Sequence, residues 1–218
     1  MSVSCGTALD VRDIRGPGCE SIGRMTSTLH DDACRVLAGY ASPVPEQRAL
    51  REAFLALLQA RSDAVWRSCE PGHLTASAMV VDPSRQAVLL TLHPRVGRWL
   101  QLGGHLEPGD DTVAAAALRE ATEESGIQGL RLDPVPVDLD VHPITCSLGV
   151  PTRHLDVRYL AVAPAGAVEV RSDESDALAW FGWDDLPDDV AIDTPRLLRR
   201  AMARLDRCPD VDVDHVTP

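Results

Sequence analysis

The sequence predicts an α/β protein, and three observations carry that expectation. Short apolar segments with the alternation of strands lie on both sides of one alanine-rich amphipathic segment, Thr112–Ser125. That segment ends at a glycine suited to close a helix, Gly126. Two further helical patterns precede the first strand, so a helical extension is expected ahead of the sheet. With 218 residues, 44% of them hydrophobic, the chain can bury one substantial core.

The elements follow in order. Residues 1–27 mix Gly, Ser, Pro and charges without a period and read as a mobile leader. Leu29, Ala33, Val36 and Leu37 recur at helical spacing. Leu50, Phe54, Leu57 and Leu58 mark a longer helix over Glu46–Arg61, begun near Pro43 and Pro45. The two helices form an expected N-terminal extension over 28–68. From His73 the period shortens: Leu74–Asp82, Gln86–Leu92 and Trp99–Leu102 read as strands, with Asp82-Pro83-Ser84 as a turn. Ala114, Ala117, Leu118 and Ala121 give the helix over Thr112–Ser125 a narrow stripe for close packing on a sheet. Extended segments near Val135–Ile144, His154–Val162 and Leu178–Gly182 come next, then a helix over Thr194–Leu205 carrying Leu197, Leu198 and Met202. A catalytic domain over 69–206 and an acidic tail over 207–218 complete the expected organisation.

Charge limits the function. Thirty-three acidic residues against 21 basic ones give a net charge of −12, which excludes the basic footprint of a nucleic-acid binder. Every basic residue is Arg, and the chain has neither Lys nor Asn. This composition suggests a GC-rich bacterial genome. It also excludes a phosphate loop of the type that needs a lysine, so a phosphate clamp would rely on arginines and backbone N–H groups. Met1–Glu20 lacks the apolar stretch of a signal peptide, and no segment approaches the roughly 20 apolar residues that cross a bilayer. The six cysteines contain no C-x-x-C pair. Reduced thiols in a cytoplasmic protein without membrane contact are expected.

The chemistry concentrates in Gly103-Gly104-His105-Leu106-Glu107-Pro108-Gly109 and Arg119-Glu120-Ala121-Thr122-Glu123-Glu124-Ser125-Gly126-Ile127. Glu120, Glu123 and Glu124 stand at i, i+3 and i+4 and share one helix face. Three like charges this close disfavour one another, unless a hard cation such as Mg²⁺ sits among the oxygens. Glu107, Asp110 and Asp111 suit loop shaping or helix capping. Arg95, Arg98, Arg153 and Arg158 are candidate phosphate contacts. Trp99 and Trp180 could stack on a base, although their strand positions favour core packing. His142, Cys146 and His154 resemble part of a zinc site short of a fourth ligand.

These motifs resemble the box of the Nudix hydrolases: G, five residues, E, seven residues, R-E-U-x-E-E-x-G-U. Arg119 to Ile127 fits with Ala121 in the first bulky position; with Asp111 in place of the first Glu six residues separate it from Gly104, and with Asp110 the loop fits but the spacer is one residue too long. The irregularity is similar to a bacterial subgroup opening G-G-H-x-D/E-x-G-D, and the likeness runs over roughly Leu74 to Leu186. It implies an α/β/α sandwich with a mixed sheet and a Mg²⁺-dependent pyrophosphohydrolase, with Mn²⁺ as a substitute. The substrate would be a nucleoside diphosphate linked to another moiety.

By this resemblance Glu120, Glu123, Glu124, the Gly103 carbonyl and Glu174 bind the metal. Glu120, Glu123 and Arg119 are the catalytic candidates: Glu120 as the base, Arg119 by pairing with a box carboxylate. Asp156 and Arg158 recur in the subgroup, which points to substrate contact; Arg98, His105 and His154 join Arg158 as the expected substrate-binding residues. Nucleoside triphosphates, ADP-ribose, dinucleoside polyphosphates and coenzyme A stay open as substrates, as does a homodimer. The alternatives are a catalytically silent nucleotide sensor, against which the intact carboxylates speak, and a diphosphate isomerase of the isopentenyl type, for which no cysteine flanks the box.

Overall fold

The computed structural model describes residues 26–145 and 149–207. Helices α1 (Thr26–Gly39) and α2 (Pro45–Ala60) come first, then strands β1 (His73–Val81), β2 (Ala87–His93), β3 (Arg98–Leu100) and β4 (Leu102–His105). Helix α3 (Val113–Ser125) precedes β5 (Arg131–Leu132), β6 (Asp138–Thr145), β7 (Pro151–Val162), β8 (Ala177–Gly182) and α4 (Thr194–Arg207). The leader expected over 1–27 lies outside the described residues but for its last two positions, as do Cys146 and the tail from 208.

One mixed sheet organises the molecule. β1 and β7 run parallel at its centre, from His73 beside His154 to Val81 beside Val162. On its other edge β1 pairs antiparallel with β4 at Thr75–Ala78 and with β2 at Val80–Val81. β7 likewise divides its outer edge between β6 and β5. Each central strand thus has two partners end to end, which curls the sheet. The division also separates β3 from β4 where a single strand over Trp99–Leu102 was expected: β3 stays on β2, and after Gln101 the chain moves to β1.

Side-chain alternation gives the sheet two faces. Leu74, Ala76, Ala78 and Val80 of β1 join Val157, Tyr159 and Ala161 of β7 in a core completed by α1, α2 and α3. Met79, Val81, Leu160 and Val162 pack instead with Leu197, Leu198, Ala201 and Leu205 of α4. The α/β class and the sandwich expected from the sequence are therefore present. Trp99 belongs to the second core, edge-on to Phe181 with ring centroids 4.9 Å apart.

The first two helices are bound into this core. Gln47 both donates to the Leu139 carbonyl (2.8 Å) and accepts the Leu139 N–H (2.7 Å), holding α2 against β6. Asp32 of α1, 3% exposed, accepts the N–H of Val113 at 2.8 Å, so α1 caps the first turn of α3. Thr112 supplies the other cap by accepting from Ala115 at 3.0 Å. Among the described residues Cys34 and Cys69 carry free thiols, and no helix is long and apolar enough to cross a membrane.

Candidate active site

Helix α3 begins at the Thr112 cap and ends at Gly126, whose positive φ of 67° is the left-handed conformation that glycine favours. Its alanines lie against the sheet, and this close approach carries Glu120 and Glu124 inward: their residues are half-buried and buried. At the facing edge of the sheet, Gly103 and Gly104 of β4 leave room for them. A Cβ on Gly104 would fall 2.7 Å from the Glu120 carboxyl carbon and both its oxygens. A Cβ on Gly103 would strike Ser77 of β1. The paired glycines are thus required by the approach of helix to strand.

Arg119 ties the group together. Its guanidinium donates to both oxygens of Asp110 (2.9 and 3.0 Å), to Glu120 (3.0 Å), to Glu123 (3.1 Å) and to the His105 carbonyl (2.9 Å). Glu124 accepts the N–H of Gly103 at 3.1 Å. Asp110 is fixed in turn by accepting from the N–H of Glu107 at 2.7 Å, which gives the irregular loop its shape. Asp111 is exposed. Glu120 and the exposed Glu123 therefore share one guanidinium, while Glu124 is held separately by the Gly103 N–H.

Burial dominates their electrostatics. It pushes the Glu120 carboxyl up to about 7 despite the opposing charge of Arg119, and the Glu124 carboxyl up to about 8 despite the Gly103 N–H. The charges of Glu123 and Glu174 push both further up. Glu174 is exposed, on a loop tied to α3 where the Val170 N–H donates to the Ser125 carbonyl at 2.7 Å. The open depression bordered by Arg61, Glu70, Pro71 and Pro151 contains none of these carboxylates; converging side chains mark the site.

Four polar strand residues stand elsewhere. Arg98 is exposed at the start of β3. Arg158, a substrate candidate in the sequence, is enclosed by carboxylates. It is 1% exposed, and its guanidinium lies 2.7 Å from Asp156, 3.1 Å from Asp140 and 3.5 Å from Asp138, with Asp193 as a fourth acidic partner. Such a surround consumes its donors internally. His105 and His154 meet each other and a third residue that the sequence reading passed over, His73. Burial, with neighbouring histidines, pushes His105 down to about 4 and His154 down to about 3, so all three rings are neutral near pH 7. A signal for His73 did exist: His73, Thr75 and Ser77 put a polar residue at every second position of an otherwise apolar strand, as His154, Asp156 and Arg158 do in β7.

A glycine-cradled acidic helix on a mixed α/β sandwich defines the class of protein. The family model of the NUDIX domain matches residues 71–201, well over half of the sequence. The chain therefore belongs to the Nudix family and is a hydrolase of phosphorus-containing acid anhydrides, a family that generally uses divalent metals.

Solved structures similar to the chain include a Nudix-family hydrolase from Clostridium perfringens, 26% identical over 62% of this chain and 97% of that one, with a TM-score of 0.44. An Ap4A hydrolase from C. elegans in a binary complex is 22% identical over 62% and 98%, with a TM-score of 0.47. The NUDIX domain of Shewanella oneidensis NrtR, solved with ADP-ribose, is 22% identical over 61% and 87%, with a TM-score of 0.45. None of the curated proteins matches the chain.

Proposed function

We propose that the protein is a Mg²⁺-dependent pyrophosphohydrolase that cleaves the diphosphate bond of a nucleoside diphosphate linked to another moiety. The observation that carries this reading is the placement of Glu120 and Glu123 on the Arg119 guanidinium, with Glu120 against Gly104 and Glu124 on the Gly103 N–H. The donor set fits a hard divalent cation: buried carboxylates whose charge the scaffold leaves largely uncompensated, a nearby backbone carbonyl, and a further acid from another loop. Glu120, Glu123, Glu124, the Gly103 carbonyl and Glu174 would hold it. When bound, such an ion neutralises diphosphate oxygens and acidifies water.

The chain's own residues supply the rest. Water adds to one phosphorus, the bridging P–O bond breaks, and its electron pair leaves with the other phosphate. Glu120 accepts the proton of the attacking water at its carboxylate. Arg119 is a positioning residue that fixes Glu120 and Glu123 and closes the Gly-rich loop through Asp110 and the His105 carbonyl. Arg98, exposed on β3, is the proposed phosphate contact. The division into an extension over 28–68 and a catalytic domain over 69–206 belongs to the same reading, as does a cytoplasmic setting.

The test is product analysis over nucleoside triphosphates, ADP-ribose, dinucleoside polyphosphates and coenzyme A, with and without Mg²⁺. Cleavage of at least one compound that requires Mg²⁺ and disappears in E123Q and E124Q is expected. Undiminished turnover in both variants would remove the site assignment, and binding without cleavage of any compound would favour a nucleotide sensor.

A further inference from the structure

Outside the carboxylates, the densest group of metal-binding side chains is on the other face of the sheet. His73 opens β1, His154 lies beside it on parallel β7, and His105 ends β4 one step along, opposite Thr75. Their ring centroids form a nearly equilateral triangle of 5.2, 5.0 and 5.0 Å. One ring nitrogen from each lies within 4.8 Å of those of the other two.

The hydrogen bonding orients this triangle. His73 is fully buried, and its Nδ1 lies 3.2 Å from the Cys69 carbonyl, which can only accept. Nδ1 therefore carries the proton and Nε2 carries a lone pair. That Nε2 is buried without a hydrogen-bond partner among the described residues, and so is the Nε2 of His154. A buried lone pair with no partner forfeits the hydrogen bond that water would give it. Here two such nitrogens belong to rings that face each other and a third imidazole. An N–H held by a backbone carbonyl is also the usual support of a metal-ligating histidine.

We propose that His73, His105 and His154 form a second metal site, which takes a borderline divalent transition ion, Zn²⁺ first, through three neutral imidazoles with one coordination position open. Imidazole donors suit Zn²⁺ and its first-row neighbours, whereas Mg²⁺ requires oxygen. The two sites thus select different ions. They are joined through one residue: His105 offers its ring to the triad, while its carbonyl accepts from Arg119. His142 lies on the flank, its ring 5.4 Å from that of His154 and its Nδ1 3.0 Å from Asp140. This assigns His105 and His154 to an ion in place of direct substrate contact, and the assignment stands whether or not the carboxylate site hydrolyses anything.

The test uses the full, tag-free chain, stripped with chelator, loaded with Zn²⁺ or Co²⁺, and dialysed against excess Mg²⁺ so that the carboxylates are occupied. Roughly one Zn²⁺ should be retained per chain by elemental analysis, and Co²⁺ should give the intense visible bands of low-coordinate nitrogen ligation. H105Q and H154Q, which touch the two less buried rings, should each lose the retained ion. E123Q and E124Q should keep it. Circular dichroism identifies any variant that fails to fold; the other histidine variant and the wild-type Co²⁺ spectrum then decide. Absence of retained Zn²⁺ in the wild type, retention in a folded histidine variant, or loss confined to the carboxylate variants would each overturn the site.

Discussion

Replacing Glu124 by Gln should make the metal-free protein more stable while abolishing its activity. The carboxyl is pushed from about 4.5 in the unfolded chain up to about 8 in the folded one, chiefly by burial. Folding therefore takes up a proton between these values. The associated stability is fully present below pH 4.5 and is lost as pH rises through 8. At roughly 1.4 kcal/mol per pH unit of separation, ionised Glu124 costs the fold about 4–5 kcal/mol at alkaline pH. Relaxation among the neighbouring acids reduces this, and about 2–5 kcal/mol is the expected gain of E124Q at pH 8.5. For a chain of this length that is a rise of roughly 5–15 °C in Tm.

The assay is thermal unfolding in chelator from pH 5 to pH 9, wild type against E124Q. The curves should meet near pH 5 and diverge as pH rises, with the wild type falling. Added Mg²⁺ should recover the wild type at pH 8.5, by about 2.7 kcal/mol when free ion is 100-fold above its Kd, and should do less for E124Q. Parallel curves at all pH values would show that Glu124 is not the buried, uncompensated acid described above, and the account of the site's electrostatics would fall with it.

Three other substitutions probe separate parts of the framework. G104A places a methyl group 2.7 Å from the Glu120 carboxylate and should lower kcat/KM by about 100-fold or more with a Tm within a few degrees of wild type; retained activity would show that the Gly104–Glu120 approach is dispensable. D32A removes the acceptor for the Val113 N–H and should cost about 1–2 kcal/mol in denaturant unfolding, since the ion pair with largely exposed Arg35 contributes little. R158A leaves buried Asp156 without its cation, whereas Asp138 keeps Arg196 and Arg200, and should cost about 3–5 kcal/mol; a loss of substrate affinity with unchanged stability would instead restore the substrate role once expected of it.

What could be read from the sequence was local. The carboxylates at i, i+3 and i+4, the closing role of Gly126 and the alanine stripe all lie within one helix, where spacing alone fixes who faces whom. What the sequence did not show concerns residues whose partners are distant along the chain. Arg158 beside Asp156 looked like a substrate contact because its other acids, Asp138, Asp140 and Asp193, come from β6 and the approach to α4. His73 stood alone until parallel pairing of β1 with β7 put it beside His154. The change of partner that divides β3 from β4 leaves no mark in the alternation, because both parts remain extended.

The position of the carboxylates on α3 links stability to metal affinity. Asp32, an anion, occupies the N-terminal end of this helix, where the dipole favours it. Glu123 and Glu124 occupy the C-terminal end, where the dipole disfavours them, and no basic residue stands in that last turn. Burial, the dipole and the neighbouring acids all oppose ionisation of Glu124. Arg119 and the Gly103 N–H oppose these influences only in part, since Glu120 and Glu124 still stand far above their ordinary values. A lysine in the last turn would remove the conflict and strengthen the metal-free fold. It would also compete with the cation for the same oxygens, so the free energy withheld from the empty protein becomes available to binding.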